Sequence, residues 1–359
     1  MTARRAFYVN RYGQPAFAQR LSDAGITLHG ITPQTGAAAV AEVLATAHVY
    51  QVTSGMHEVP HEYLVGPALL ARTPQLLVVS TIGAGYDTVD LEACTQRGVV
   101  VVNQSGGANA QAVVEHTLGM MLALGKRIVE ADRVMRREAG VDRSLFVGRN
   151  LHGRTLGLVG FGNVGRSLAA LCSQAFGMRV LASSFHADAD AMAQAGATAA
   201  TLDVVMSRSD YVVVCCALSA RTRGLVGAAE FARMQPHAYF ITTARAGIHD
   251  EAALCAALQE GRIAGAGVDV WDEEPPPLSH ALLQRDDVVA TPHIAGATHE
   301  SRADAAESAA RQILQALAGQ RPAQLRNPAV WPLYLQRLQQ AFPSLAPGAT
   351  QLTEEQKTT

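Results

Sequence analysis

Short apolar runs alternate with longer Ala-rich segments along most of the chain. The runs are rich in β-branched residues, and polar positions rarely interrupt them. Such runs are typical of strands that are buried on both faces of a sheet. The alternation therefore predicts parallel sheets that are covered by helices. The runs are LLVVS (76–80), VVVVN (99–103), LGLVG (156–160), RVLAS (179–183), YVVVCC (211–216), AYFIT (238–242), AGVDV (266–270) and DVVAT (287–291).

Two longer segments show the apolar spacing of an amphipathic helix. Residues 108–128 show it without an interrupting proline, and residues 300–319 show it again after the last predicted strand. Residues 130–155, which follow the first of these helices, are charged and only weakly periodic. We expect this segment to be a connecting arm rather than part of a core.

The length of the chain and the two helices predict the domain organisation. A chain of 359 residues exceeds the size that one hydrophobic core usually supports, so two domains are expected. The helix at 300–319 is expected to return to the first domain, which makes that domain discontinuous. The predicted fold class is α/β, with two doubly wound Rossmann-like domains. The predicted bounds are 1–104 with 297–335 for the first domain, 105–296 for the central domain, and 340–359 for a disordered tail.

Composition and charge argue against several classes of protein. The formal net charge is -2 at pH 7 and no long basic run occurs, so neither nucleic acid nor an anionic membrane is an expected partner. No apolar stretch approaches membrane-spanning length and no signal peptide is apparent, so we expect a cytoplasmic location. The five cysteines form no CxxC pair, and no metal site is expected. A small molecule is the expected partner.

A glycine-rich turn stands between a predicted strand and a predicted helix. In TLGLVGFGNVGRSLAAL (155–171), Gly160, Gly162 and Gly165 form the pattern G-x-G-x-x-G. The first glycine permits a tight turn, the second lets the backbone approach a pyrophosphate, and the third lets the helix pack closely on the strand. Asn163 and Val164 open the helix, where backbone N–H groups can face phosphates. These five residues are predicted to bind a dinucleotide.

The next predicted strand ends in MRVLASSFHAD (178–188), where a carboxylate usually accepts hydrogen bonds from the ribose of NAD. The sequence has Ser183 and Ser184 at this place instead. The lack of a carboxylate removes the repulsion that excludes a 2′-phosphate, and both hydroxyl groups can donate to one. No arginine lies between Ser183 and Asp188, although a firm NADP site usually has one. The predicted cofactor is therefore NADP or NAD, and both remain open.

Three later segments complete a pattern together with the glycine turn and with STIGAGYDTVDLEACTQRGVVVVN (80–103). They are ITTARAGIHDEAAL (241–254), AGAGVDVWDEEPP (264–276) and VVATPHIAGATHES (288–301). From about Leu76 to about Gly319, the chain resembles the D-isomer-specific 2-hydroxyacid dehydrogenase family, which includes glyoxylate/hydroxypyruvate reductases, D-lactate dehydrogenases and phosphoglycerate dehydrogenases. The resemblance implies that the first domain binds the substrate, that the central domain binds the dinucleotide, and that the chain forms a homodimer.

The family's catalytic arginine, acid and histidine correspond to Arg245, Glu274 and His293. Reduction of a 2-keto acid needs a fixed planar cation for the carboxylate and the carbonyl oxygen, and a guanidinium provides two parallel hydrogen bonds. The carbonyl oxygen also needs a proton when hydride reaches the carbon, and an imidazole can supply it and take it back. A carboxylate beside the imidazole holds its orientation and stabilises its charged form. The resemblance and these residues predict an NAD(P)-dependent D-2-hydroxyacid dehydrogenase.

The resemblance also assigns the remaining residues of the site. The backbone of Ala84 and Gly85 is expected to hold the substrate carboxylate. Asp269 is expected to contact the carboxamide of the nicotinamide. The further positions expected to line the cofactor are Cys216, Thr222, Thr243 and Ala244.

Other functions remain open at this point. Phosphoglycerate and phosphite dehydrogenases share the same catalytic set, although the expected substrate loop at 51–64 contains His57 and His61 and no lysine or arginine for a phosphate. A non-catalytic, dinucleotide-sensing binding protein would be expected to have a substituted triad, and here all three residues are present. The sequence leaves open the identity of the 2-hydroxy acid, the physiological direction, the pathway and the role of the tail.

Overall fold

The computed structural model describes residues 4–105, 107 and 109–343, in which strands and helices alternate along the chain. The strands are β1 Arg4–Val9, β2 Ile26–Ile31, β3 Val49–Val52, β4 Val78–Thr81, β5 Val100–Val102, β6 Thr155–Val159, β7 Arg179–Ser183, β8 Ala197–Ala199, β9 Tyr211–Val214, β10 Tyr239–Thr242, β11 Gly265–Val268 and β12 Val288–Ala290. The α-helices are α1 Pro15–Asp23, α2 Ala37–Thr46, α3 Pro67–Arg72, α4 Leu91–Gln96, α5 Ala110–Gly125, α6 Ile128–Arg137, α7 Asn163–Phe176, α8 Ala189–Gln194, α9 Leu202–Arg208, α10 Ala228–Phe231, α11 Glu251–Gln259, α12 His299–Leu317 and α13 Trp331–Ala341. Short 3₁₀ helices occur at Met56–Glu58, His61–Tyr63, Arg143–Phe146, Ala281–Gln284 and Pro328–Val330.

The strands form two separate sheets. In the described residues, one sheet has five strands in the order β2-β1-β3-β4-β5, and the other has seven in the order β12-β11-β10-β9-β6-β7-β8. Neighbouring strands in both sheets are parallel. Parallel neighbours need a crossover connection, and helices supply most of these connections here. The predicted α/β fold class is therefore confirmed.

The chain divides into two compact units. The first unit contains the residues up to Asn109 and those from Thr298 onward, and the second contains Ala110–Ala297. The five-stranded sheet belongs to the first unit, and the seven-stranded sheet belongs to the second. The predicted helix at 300–319 is α12, which forms part of the first unit although it follows the whole second unit in the chain.

Helix α12 covers one face of the first unit's sheet. Ala309 and Ile313 are fully buried and share an apolar core with Val78 of β4 and Val100 of β5. Val79, the next residue along β4, lies in the core on the opposite face. Successive residues of a strand point to opposite faces, so helices on both sides favour apolar residues at consecutive positions, as at Val78 and Val79. This preference explains the apolar run at 76–79, after which the buried Ser80 and Thr81 complete β4.

The second unit follows the same rule. Leu158 of β6 is fully buried in one core together with Val213 of β9. The adjacent residues, Val159 and Val214, lie in the core on the other face of the sheet. Apolar cores therefore cover both faces of this sheet. Because its strands are parallel, their carboxyl ends meet at one edge of the sheet.

The helix that the sequence predicts at 108–128 is interrupted. Helix α5 ends at Gly125, and Arg127 adopts a left-handed conformation with a φ of 55° before α6 begins at Ile128. A Cβ at Gly125 would clash with the Oη of the buried Tyr211, so glycine suits this close approach. The segment expected to be a connecting arm contains most of α6, none of whose residues is buried.

The first residues of the predicted C-terminal tail are helical. Helix α13 ends at Ala341, so the tail that the sequence predicts at 340–359 begins inside a helix, and this boundary is wrong. Residues 344–359 lie outside the described residues. No helix in the described part of the chain is both long and apolar enough to cross a membrane.

Candidate active site

The predicted site residues of the second unit lie at the carboxyl ends of neighbouring strands. In parallel sheets these ends meet at one edge, which is where such folds bind their ligands. Each predicted residue directly follows its strand or lies in the loop that continues from it. They are Gly160 after β6, Ser183 and Ser184 at the end of β7, Cys216 and Thr222 after β9, Thr243, Ala244 and Arg245 after β10, Asp269 and Glu274 after β11, and His293 after β12.

Two of the three glycines in the turn have no room for a side chain in the protein itself. Gly160 has a φ of 112°, and a Cβ there would lie 2.5 Å from the backbone nitrogen of Cys216. A Cβ at Gly165 would lie 2.6 Å from the carbonyl oxygen of Gly160, so the first turn of α7 packs directly on the turn. Gly162, the residue before α7, faces open space, since a Cβ there would meet no atom within 4 Å. The turn is therefore rigid at Gly160 and Gly165 and accessible at Gly162.

The two cysteines after β9 are neutral and lie beside the glycine turn. The Sγ of Cys215 donates to the carbonyl oxygen of Gly160 over 3.2 Å. Burial raises the pKa of the Cys216 thiol to about 11, and it also raises the pKa of Cys215. Both side chains therefore stay protonated at neutral pH. They shape the space beside the glycine turn without adding charge to it.

Asp269 is fully buried and connects β11 to the loop after β12. One carboxylate oxygen accepts from the Oγ1 of Thr291 at 2.6 Å and from the backbone N–H of Ile294 at 2.8 Å. The other oxygen accepts from the backbone N–H of Ala295 at 2.9 Å. The sequence analysis assigned Asp269 to the cofactor. The structure shows in addition that this carboxylate organises the backbone of the loop that carries His293.

His293 occupies an uncommon backbone conformation. Its φ is 54°, in the left-handed region, which is costly for a residue with a side chain. The backbone N–H of His293 donates to the carbonyl oxygen of Asp269 at 2.8 Å. This bond and the two that the Asp269 carboxylate accepts from the following residues hold the loop in place. The left-handed conformation is thus maintained by its surroundings.

The imidazole of His293 pairs with Glu274. Its Nδ1 lies 2.9 Å from Oε2 and 3.1 Å from Oε1 of that carboxylate. Oε1 also accepts from the backbone N–H of Trp271 at 3.0 Å, which fixes the carboxylate. Glu274 is largely buried, whereas the imidazole is about one third exposed. With Nδ1 directed at the carboxylate, Nε2 is the nitrogen that can exchange a proton with a bound molecule.

Arg245 lies in the loop after β10 and is half-buried. Its Nη1 donates to the carbonyl oxygen of Ala244 at 2.7 Å. The preceding Thr243 is buried, and its Oγ1 lies 3.1 Å from the Oγ1 of Thr117 on α5. The loop is therefore attached to α5 directly before the arginine.

Ala84 and Gly85 belong to the first unit, in the loop after β4. The carbonyl oxygen of Ala84 accepts from the Nδ2 of Asn103 at 2.6 Å. The N–H of Gly83 donates to the Oγ of Ser54 at 3.1 Å. These bonds order the loop, and the expected part of Ala84 and Gly85 in substrate binding stays a prediction.

Sequence reasoning missed His116, on α5. Its Nε2 lies 3.1 Å from the Oγ1 of Thr291, the hydroxyl group that donates to Asp269. It lies 3.8 Å from the nearer carboxylate oxygen of Asp269. His116 thus extends the network that holds the His293 loop, and only the position of α5 against β11 and β12 shows this. In the described residues, no group of histidine, cysteine and acidic side chains has the arrangement of a metal site.

Comparison with known proteins identifies the family of the chain. Residues 118–295 match the model of the D-isomer specific 2-hydroxyacid dehydrogenase, NAD binding domain. The chain is 36% identical over 269 residues to a protein named glyoxylate reductase from Thermococcus litoralis. The aligned region covers 73% of this chain and 80% of that protein. The chain belongs to the D-isomer-specific 2-hydroxyacid dehydrogenase family.

Two further relatives and one solved structure support membership of this dehydrogenase family. A glyoxylate/hydroxypyruvate reductase B from Salmonella gallinarum is 38% identical over 74% of this chain and 82% of its own length. A D-3-phosphoglycerate dehydrogenase from Archaeoglobus fulgidus is 36% identical over 71% of this chain but only 48% of its own length. The crystal structure of a 2-hydroxyacid dehydrogenase from Ketogulonicigenium vulgare superposes with a TM-score of 0.77 at 28% identity, covering 90% of this chain and 98% of that one.

These findings confirm the predicted family, fold class and type of enzyme. The protein is a nicotinamide-dependent oxidoreductase of the 2-hydroxyacid dehydrogenase type, with an NAD-binding domain in its second unit. The roles of individual site residues, the preference between NAD and NADP, the specific acid and the oligomeric state remain predictions.

Proposed function

We propose that this dehydrogenase interconverts a small 2-keto acid and the corresponding D-2-hydroxy acid, using NAD or NADP. The observation that carries the proposal is the His293–Glu274 pair, with Nδ1 and Oε2 2.9 Å apart, at the same sheet edge as the glycine turn. A fixed imidazole with one free nitrogen is the group that a carbonyl reduction needs for its proton.

The glycine turn fits the pyrophosphate of a dinucleotide. Gly162 faces open space, and the backbone N–H groups of the first turn of α7 begin directly after it. The helix has 14 residues, long enough for its N-terminal end to favour an anion. Gly162, Asn163 and Val164 are therefore the residues proposed to hold the pyrophosphate.

Each catalytic residue has a proposed role that follows from its chemistry. A bound nicotinamide supplies the hydride for the carbonyl carbon of the substrate. The guanidinium of Arg245 holds the substrate carboxylate and polarises the carbonyl. Nε2 of His293 donates a proton to the carbonyl oxygen, and in the reverse direction it accepts the proton of the hydroxyl group. Glu274 orients the imidazole through Nδ1.

Two observations favour a small, unphosphorylated substrate. Relatives that match most of the chain are named glyoxylate reductase and glyoxylate/hydroxypyruvate reductase B. The sequence shows no cation in the loop at 51–64, but the structure brings Arg11 to it, where the guanidinium forms an ion pair with Glu58. The charge of Arg11 is thus already matched by a carboxylate. This pairing disfavours phosphoglycerate as the substrate.

Exposed apolar side chains on the second unit support the proposed homodimer. Ile128 and Met135 of α6 are more than half exposed, and so are Leu145 and Val147 in the segment that follows. Four exposed apolar side chains within residues 128–147 favour an association site in this segment. We propose that this arm forms part of a homodimer interface.

The proposed function is tested by initial rates of NADH and NADPH oxidation with a panel of 2-keto acids. The panel contains glyoxylate, hydroxypyruvate, pyruvate and bulkier 2-keto acids. We expect turnover with the smallest members. If no member is reduced although a reduced cofactor binds, the proposed substrate class is wrong.

A pair of glycine variants separates folding from cofactor binding. Gly160→Ala is expected to lower the free energy of unfolding by about 1–3 kcal/mol, because alanine disfavours the positive φ and its Cβ would clash with Cys216. Gly162→Ala is expected to leave the melting temperature nearly unchanged and to weaken dinucleotide binding, because its Cβ would occupy only the open space. Thermal unfolding and fluorescence titration with reduced cofactor measure both effects. Equal loss of stability in the two variants would contradict this account of the turn.

Glu274→Gln tests the orientation of the imidazole. The amide can present either an oxygen or an N–H to Nδ1 of His293, so part of the population is expected to hold the wrong tautomer. We expect kcat to fall by about 10–100-fold with little change in cofactor affinity. Glu273→Gln, at the adjacent exposed acid, is the matched control and is expected to keep kcat. A Glu274→Gln enzyme as fast as this control would remove Glu274 from the mechanism.

A further inference from the structure

The loop after β9 brings an arginine to the end of β7. The Cζ of Arg221 lies 4.3 Å from the centroid of the Phe185 ring, and Phe185 directly follows Ser184. Strand β6 lies between β7 and β9 in the sheet, so the loop reaches across the strand that ends in the glycine turn. The stretch after β7 contains no arginine in sequence, but the fold supplies one.

The backbone next to Arg221 is held firmly. Thr222 is buried, and its Oγ1 donates to the carbonyl oxygen of Ala217 and accepts from the N–H of Ser219, both at 2.7 Å. The N–H of Gly224 donates to the carbonyl oxygen of Gly247 at 2.8 Å. The Thr222 hydroxyl group, which the sequence analysis assigned to the cofactor, thus organises the loop. The position of Arg221 is set by this loop and by the stacking on Phe185.

The charge of Arg221 is available for a ligand. The side chain is exposed, and within the described parts of the chain it forms no ion pair with a carboxylate. Asp188, the first acidic residue after Ser184, caps α8 by accepting from the N–H of Ala191 at 2.7 Å. The guanidinium therefore has no matching anion in its own loop or in the cap of α8.

The hydroxyl group of Ser184 has a compatible arrangement. Its Oγ accepts from the backbone N–H groups of His186 and Ala187, each at 3.3 Å. An oxygen that accepts both bonds keeps its own hydrogen to donate. The half-buried Ser184 can thus donate to an anion at the end of β7, where an acidic residue would repel one.

We propose that Arg221, stacked on Phe185, and Ser184 form the binding site for the 2′-phosphate of NADP, so that this enzyme prefers NADP(H) to NAD(H). The inference rests on the proposed dinucleotide role of the same sheet edge. A guanidinium binds a phosphate through two parallel charge-assisted hydrogen bonds, and stacking on an aromatic ring restricts its orientations. The 2′-phosphate of NADP(H) would make charge-assisted contacts with Arg221, and these contacts weaken as salt increases. NADH has no 2′-phosphate and cannot make them.

The test measures equilibrium binding to the full chain without substrate. Calorimetric titrations give the dissociation constants of NADPH, NADH and adenosine 2′,5′-bisphosphate, a fragment that carries the 2′-phosphate but no nicotinamide. We expect the wild type to bind NADPH at least about tenfold more tightly than NADH. Arg221→Ala is expected to weaken NADPH and the bisphosphate by about 10–100-fold and NADH by less than about twofold.

The matched control is Arg208→Ala, which removes the same charge at an exposed position at the end of α9, ahead of β9. It is expected to leave all three dissociation constants unchanged. Equal affinity of the wild type for NADPH and NADH, or equal weakening of both by Arg221→Ala, would overturn the inference. Keto-acid reduction with an NADH preference would keep the proposed function and reject the 2′-phosphate site. If the bisphosphate binds in an Arg221-dependent manner but no keto acid is reduced, the 2′-phosphate site is kept and the proposed function is rejected.

Discussion

Replacement of His293 by glutamine is expected to lower kcat by about 10²–10⁴-fold, the range that a positioned general acid contributes. The amide cannot donate and regain a proton as an imidazole does. Because His293 acts on the substrate oxygen, the dissociation constant of the reduced cofactor is expected to change little. Steady-state rates with a 2-keto acid, together with cofactor titrations, measure the two effects separately.

A second imidazole–carboxylate pair provides the control for His293. The Nε2 of His237 lies 3.0 Å from the Oδ1 of Asp210. Asp210 directly precedes β9, and His237 lies two residues before β10. The pair thus lies at the amino ends of the strands, at the opposite edge of the sheet. His237→Gln is expected to keep kcat. Comparable losses in both variants, or a His293→Gln enzyme with most of its activity, would show that His293 is not the proton donor.

Replacement of Arg245 by lysine is expected to lower kcat/KM by about 10²-fold or more. Lysine keeps the positive charge but cannot form the two parallel hydrogen bonds to a carboxylate, and each charge-assisted bond contributes about 1.5–3 kcal/mol. Arg245→Ala is expected to lose more, because the charge is also removed. Steady-state kinetics with the best 2-keto acid measure these losses.

Arg262→Lys is the control for the loss of the guanidinium. Arg262 is exposed, follows α11 and forms an ion pair with Glu260. It is expected to keep wild-type kcat/KM. If Arg245→Lys is as active as Arg262→Lys, then the substrate carboxylate is not held by two hydrogen bonds to Arg245.

Most of the strands that the sequence predicts are buried on both faces. The runs at 156–160 and 238–242 agree closely with β6 and β10 because helices on both sides favour apolar residues at consecutive positions. Strands β2 and β8 lie at sheet edges and have exposed positions, so they contain no unbroken apolar run. Their existence depends on the neighbouring strands rather than on their own composition.

The sequence predicts those site residues that lie in short, recognisable motifs. The glycine pattern and the segments around Arg245, Glu274 and His293 indicate the carboxyl edge of the second sheet. Local sequence could not show that the Asp269 carboxylate binds the backbone after His293, because the two segments meet only through the pairing of β11 with β12. The stacking of Arg221 on Phe185 was hidden for the same reason, since their loops follow strands that are separated by β6.

The configuration of the product tests the central claim most directly. The enzyme is incubated with pyruvate or hydroxypyruvate and a reduced nicotinamide cofactor, and the 2-hydroxy acid is analysed by chiral chromatography. Glyoxylate is unsuitable here because its product has no stereocentre. The account predicts the D enantiomer alone, formed by the wild type and greatly reduced with His293→Gln. Formation of the L enantiomer or of a racemic product would contradict it.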